Sequence, residues 1–316
     1  VLLCCYFLFF AFFAGYLLAG TLLVFAMVRT AHGFTLGITT VANNTIAIDV
    51  LHPERRAEGI GFYGLSNNMA MALGPSVALW VYHLYPDFDY LFVLSLLSAG
   101  IGFCVVSSIK NRQPQIIERN EPLSLDRFFL IKGWRAGISI ACFAFAYGVL
   151  STYLAIYGKE TLGITSGTGT YFMLLAVGLM SSRLIGSRTL RQGKITQNAA
   201  VGVVISLVGY TLFAGVHEMW AYYLSALVIG LGNGHLFPAY QTMFINLAPH
   251  TQRGTANSTL LTSWDLGIGL GILLGGVIAE SIGYEMAFWA AVLLELAGVA
   301  TFFLLVRRHF LANKVR

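Results

Sequence analysis

Apolar residues fill this chain in stretches of about twenty, each broken by a short polar segment. The stretches do not alternate apolar and polar positions, as the strands of a membrane barrel would. Roughly 20 apolar residues in helical form match the hydrocarbon thickness of a bilayer. A helix also satisfies its own backbone there. The pattern predicts ten spans, at about 1–18, 21–50, 57–84, 88–108, 134–157, 167–187, 197–215, 219–247, 254–279 and 284–306. The expected fold class is an all-α membrane protein.

The spans are not ten independent elements. The chain matches itself without a gap at an offset of 197 residues, so that Gly33 to Gly74 lie over Gly230 to Gly271. Gly37 falls on Gly234, Ala42 on Ala239, Thr45 on Thr242, Ile48 on Ile245, Arg56 on Arg253 and Ser66 on Ser263. In each copy an apolar helix runs into a short polar loop with a basic residue, and a Gly-rich helix follows. A same-direction repeat of this size predicts two parallel half-bundles, and transporters of that build keep their substrate between the halves. The expected organisation is a first half at 1–108 with four helices, a linker loop at 109–133 and a six-helix half at 134–316. On this reading the first half lacks two helices at its start. The chain opens on Val1, already inside an apolar helix, which reads as a missing natural start rather than a signal peptide.

Charge placement sets the topology. The loops 51–56, 109–135, 183–196 and 249–253 and the tail 307–316 are separated by even numbers of spans, and they hold 17 of the 19 lysines and arginines. The opposite side holds Lys159 with Asp87, Asp89, Glu160, Glu218, Glu280 and Glu285. The positive-inside rule makes the basic side, with the C-terminus, cytoplasmic, and a bacterial inner or plasma membrane is the expected setting.

Composition narrows the function classes. The chain is 57% hydrophobic and only 10% charged, with a mean hydropathy of +0.74. A soluble domain carries about a quarter charged residues, so neither a soluble domain nor a nucleic-acid module fits. The four cysteines lie in apolar stretches without metal-ligand spacing or a disulfide framework. No HExxH, GxSxG or phosphate-binding glycine loop is present. An enzyme is not expected, nor a cofactor or metal. The expected partners are a small-molecule substrate, protons and the lipid bilayer, with the protein acting as a monomer.

Four motifs carry a family resemblance. Arg29-Thr-Ala-His32-Gly33 looks like an RxxQG signature with His in place of Gln, and Leu73-Gly74-Pro75 looks like the GP core of an antiporter signature. Gly186 to Lys194 looks like GxLxDRxGRR, with Leu190 at the aspartate position. Asp49 and Arg56 keep the spacing of an acidic-x6-Arg motif, and Asn246 and Arg253 repeat the spacing without the acid. The chain thereby resembles the major facilitator superfamily over essentially its whole length. That resemblance implies twelve helices in two halves, of which ten are visible here. It also implies alternating access, and it gives the arginine of the fourth family helix, here Arg29, a role in proton coupling or substrate binding. The GP core leans the expectation toward efflux antiport.

Charge inside a span costs about 2.5–3.5 kcal/mol per residue on insertion scales. Arg29, Asp265 and Glu295 stand in that position. A guanidinium stays charged and holds an anionic group or biases a nearby acid; the alternative is a helix-packing residue bonded to carbonyls. Asp265 lies twelve residues past Arg253, roughly 18 Å along a helix axis. A carboxylate at that depth is paired or protonated, so Asp265 reads either as a proton carrier or as half of a structural pair. Glu295, on the last helix, reads as a helix–helix hydrogen bond or an acid kept neutral. Asn44, Asn68, Tyr153 and Gln241 complete the expected substrate and proton pathway. Asn68 falls on Asp265 and Asn44 on Gln241 under the 197-residue offset. Their plainer reading is interhelical glue. Asp49, Arg56 and Arg253 are the expected cytoplasmic gate, or simply topology-setting charge.

Four alternatives stay open beside proton-coupled efflux. Uptake symport of a sugar or organic acid uses the same parts. A ten-helix drug/metabolite carrier has this length but repeats in inverted topology. A membrane-embedded enzyme lacks its motifs. A non-transporting remnant or sensor fits if the two absent helices are naturally absent.

Overall fold

The computed structural model describes residues 2–50, 56–108, 129–164, 167–249 and 252–315. Every regular element among them is helical. The order is α1 (Leu2–Leu17), α2 (Leu22–Val50), α3 (Arg56–Leu84), α4 (Phe88–Ser107), α5 (Trp134–Leu162), α6 (Thr168–Arg191), α7 (Ile195–Gly215), α8 (Met219–Leu247), α9 (Arg253–Ile282) and α10 (Tyr284–Thr301). A 3₁₀ turn at Ile131–Gly133 leads into α5, and a π-helical segment at Phe302–Val306 joins α10 to α11 (Arg307–Asn313). Among the described residues, seven helical stretches are long and apolar enough to cross a membrane; they lie in α2, α4, α5, α6, α7, α9 and the α10–α11 run. At 16 residues, α1 is shorter. The polar Asn233 and His235 interrupt the apolar run of α8.

The chain divides into two compact units, one of residues 1–64 and 77–122, the other of residues 65–76 and 123–316. In the second unit the helices approach at backbone distance. Gly178 of α6 lies against the Leu227 carbonyl, and Gly230 of α8 lies against the Leu175 carbonyl. A Cβ on Gly202 of α7 would stand 2.6 Å from the Leu236 nitrogen, and one on Gly232 of α8 would stand 2.5 Å from the Ser206 nitrogen. Gly148 of α5 abuts the Ile268 backbone, and Gly271 of α9 abuts the Phe145 carbonyl. The apolar drive between helices is weak in lipid, so small residues that let backbones meet supply the packing. Large side chains fill the remaining space. Tyr157, Tyr171, Phe213, Tyr222 and Phe288 form one buried cluster, and Ile140, Phe143, Tyr240, Phe244 and Phe302 form a second.

Polar contacts close the ends of this unit. The Thr259 hydroxyl accepts from the Leu130 amide at 2.8 Å. His309 Nε2 donates to the Lys132 carbonyl at 2.8 Å, which leaves Nδ1 to accept from Arg135 Nη1 at 3.1 Å. The Val315 amide donates to the Asn246 carbonyl at 2.8 Å. The C-terminal tail is thereby tied to the start of α5 and the end of α8.

The first unit is knit by rings. His32 of α2 is buried and shares a 2.9 Å hydrogen bond with the Tyr16 hydroxyl of α1. Its ring lies 4.7 Å from Phe9 and 4.6 Å from Phe13. Tyr16 in turn stacks on Phe92 of α4 at 5.0 Å.

Candidate functional site

Helix α9 carries the central acid. Its small residues Gly267 and Gly271 turn to α5, and Asp265 sits off that face, exposed. An open cavity of about 400 Å³ runs there, lined by Thr262, Asp265, Leu266, Gly269, Leu270 and Leu273. Asp265 makes no ion pair among the described residues. The result is one carboxyl in an otherwise apolar groove, open to whatever enters it. One position back, Trp264 is half-buried between aromatic neighbours. Its ring lies 5.9 Å from Tyr147 of α5 and 5.3 Å, edge-on, from Phe237 of α8.

The other expected site residues separate into three groups. Gln241 of α8 donates through Nε2 to Asn257 Oδ1 of α9 at 3.2 Å. Asn257 lies eight residues before Asp265, about 12 Å along the helix. Tyr153 of α5 donates to the Ile272 carbonyl of α9 at 2.7 Å, and its ring covers Gly275 and Gly276. That hydroxyl is committed to the α5–α9 contact. Arg253 is half-buried in the first turn of α9. The second unit thus gathers Tyr153, Gln241, Arg253 and Asp265 on or against α9.

Arg29 and Asn44 belong to the first unit. Both lie on α2, Arg29 exposed and Asn44 half-buried. They are fifteen residues apart, about 22 Å along the axis, so they do not form one local cluster. The side chains of Asp49, Arg56 and Asn68 lie outside the described residues.

Some polar partners escaped sequence reasoning. Asn257 is one; its position one turn into a helix that begins at a repeated arginine was the available signal. Asn198 is another. Its Nδ2 donates to the His235 carbonyl at 2.9 Å, and its Oδ1 pairs with His235 Nδ1 at 2.9 Å. This reciprocal pair joins α7 to α8. Nothing in the local sequence links residues 37 positions apart.

The fold and these residues now meet a wider comparison. The family model described as Major Facilitator Superfamily matches residues 1–200 and 198–315. The chain belongs to the Major Facilitator Superfamily. It is an integral, multi-pass membrane protein and not an enzyme. Among its relatives is the MFS-type transporter YhhS of Escherichia coli K12, 22% identical over 290 residues, covering 88% of this chain and 69% of that protein. The staphylopine export protein of Staphylococcus aureus Mu50 is 22% identical over 255 residues, covering 76% of this chain and 63% of that protein. Among solved structures, the human organic anion transporter MFSD10 superposes with a TM-score of 0.74 at 16% identity, covering 95% of this chain and 76% of that one. A bacterial homologue of the lysosomal transporter Spinster, inward-facing and occupied, gives 0.70 at 15% identity, with coverage of 100% and 83%. These superpositions establish the shared helical fold.

Proposed function

We propose that this protein is a secondary transporter of a small solute, working by alternating access, coupled to protons and directed outward. The observation that carries the reading is Asp265, exposed in an apolar groove of a membrane helix and without an ion-pair partner among the described residues. Burying a charge-bearing side chain at membrane depth is costly, and such residues mark substrate or proton pathways. A reachable carboxyl loads a proton from one side and releases it to the other. Trp264 and the Gln241–Asn257 pair offer an aromatic face and polar groups for a solute. Arg29 and Asn44 extend the pathway in the first unit, and Asn68 falls on Asp265 in the repeat. Tyr153 acts through the α5–α9 contact that steadies the groove. From the sequence, Asp49 and Arg56 in one repeat and Arg253 in the other are the residues assigned to a cytoplasmic gate.

Two features support export. Leu73-Gly74-Pro75 matches the core of the antiporter signature, and one relative carries the name of an exporter. The basic loops and tail support a cytoplasmic C-terminus.

The test uses everted membrane vesicles with a dye that reports the pH gradient and a panel of candidate solutes. The wild type releases protons from the vesicle when its substrate is added. Asp265→Asn abolishes that response while substrate binding survives. Full coupling in Asp265→Asn removes the proton-carrier assignment.

A further inference from the structure

A second carboxyl lies in the interior of the carboxy-terminal unit. Glu295 of α10 is 0% exposed. Among the described residues, neither of its carboxyl oxygens has a hydrogen-bond partner. Around it stand Ser206 and Tyr210 of α7, Cys142 of α5 and Tyr240 of α8. Ser206 reaches Asn233 Oδ1 of α8 at 3.4 Å. On the next turn of α10, the Gly298 carbonyl accepts from Ser139 Oγ at 3.1 Å, and Ser139 Oγ pairs with the Tyr240 hydroxyl at 2.7 Å. The titratable groups facing Glu295 are therefore a thiol and two phenols. Helix α9 also packs on α10, and its acids Asp265 and Glu280 are exposed. No ion pair reaches Glu295 among the described residues.

An ionised carboxylate in such a site is cut off from bulk solvent and meets no cationic side chain among the described residues, and the usual outcome is neutralisation. A proton neutralises it without needing further ligands. A sodium ion needs several oxygens bonded to it at once, and among the described residues no group is hydrogen-bonded to either carboxyl oxygen. We propose that Glu295 is a proton-binding site inside the carboxy-terminal half, separate from Asp265, whose proton is exchanged only when α10 parts from α5 and α7. Asp265 stands in an open groove and exchanges freely. Glu295 is sealed and holds its proton through the transport cycle. The protein then holds one protonated carboxyl that takes no part in the protons moved per cycle.

Infrared spectroscopy of the purified chain in potassium-only lipid vesicles at neutral pH tests this. The wild type shows the carbonyl stretch of a protonated carboxylic acid. That band is lost in Glu295→Gln, persists in Asp265→Asn and is unmoved by replacing potassium with sodium. Carboxyl-¹³C glutamate labelling of the wild type keeps the test independent of the variant's folding. The band shifts downward if it comes from a glutamate and stays in place if it comes from Asp265. A band that survives Glu295→Gln, ignores the label or gives way to a carboxylate stretch on adding sodium overturns the proposal. Loss of proton-coupled flux in a folded Glu295→Gln variant overturns the sealed-proton claim while leaving the Asp265 reading intact.

Discussion

Between α6 and α8 the backbones at Gly178 and Gly230 leave no room for a methyl group, whereas Gly33 and Gly37 of α2 have no close neighbour among the described residues. The same contrast runs through the two units. The carboxy-terminal unit places backbone on backbone and buries hydroxyls, amides and a carboxyl among its helices. The described part of the amino-terminal unit joins α1, α2 and α4 through aromatic rings around His32. Backbone contact tolerates no added atom, because a carbonyl cannot move aside as a side chain can. Ring contact is more forgiving, since a ring shifts about its own torsions. The groove with Asp265 belongs to the rigid unit, on a helix clamped by Gly267 and Gly271. On the proposed reading, Asp265 keeps its place on such a helix while the surroundings change.

The contrast is broken most directly at Gly230. Gly230→Leu drives a side chain into the Leu175 carbonyl, and overpacking of this kind costs about 3 kcal/mol or more. Monodisperse yield in detergent falls severely; a normally behaved Gly230→Leu protein removes the backbone-contact account. Tyr16→Phe sharpens the other side. It deletes the 2.9 Å hydrogen bond to buried His32 and costs about 1 kcal/mol, read as a lower thermal midpoint. Gly37→Ala meets no neighbour and replaces a flexible helical residue. Its midpoint holds or rises, by up to about 1 kcal/mol of stability. A large loss there reveals a contact that the rings do not supply. The exposed His217–Glu285 pair, 3.7 Å apart, is the smallest case. His217→Ala leaves the midpoint within about 0.5 kcal/mol of wild type, as surface pairs do.

Much of this was legible in the chain, and the reason differs by feature. The spans follow from hydropathy, but the helix ends do not. The expected span 134–157 continues to Leu162 and closes where Gly163 adopts φ 65°. The expected 254–279 continues to Ile282 and closes at Gly283, φ 101°. Hydropathy reports the part of a helix in lipid, and the helix itself runs on until a residue takes the positive φ that ends it. Gly267 and Gly271 stand four residues apart in the chain, a step that puts small residues on one helix face. The partners were not foretold. Tyr153 reaches Ile272 across 119 positions, and a lone tyrosine in an apolar run looks the same whether it faces a solute or a carbonyl. Glu295 stood out by its charge, yet only the packing of α5, α7 and α9 against α10 shows that it is sealed.

The measurement that bears most directly on the account compares two modes of transport in liposomes holding the Asp265→Asn variant. One mode is flux driven by an imposed pH gradient. The other is exchange of labelled for unlabelled solute, which requires no net proton movement. The account predicts that the variant loses gradient-driven flux and keeps exchange. Gradient-driven flux at the wild-type level would contradict it and move the coupling to another residue.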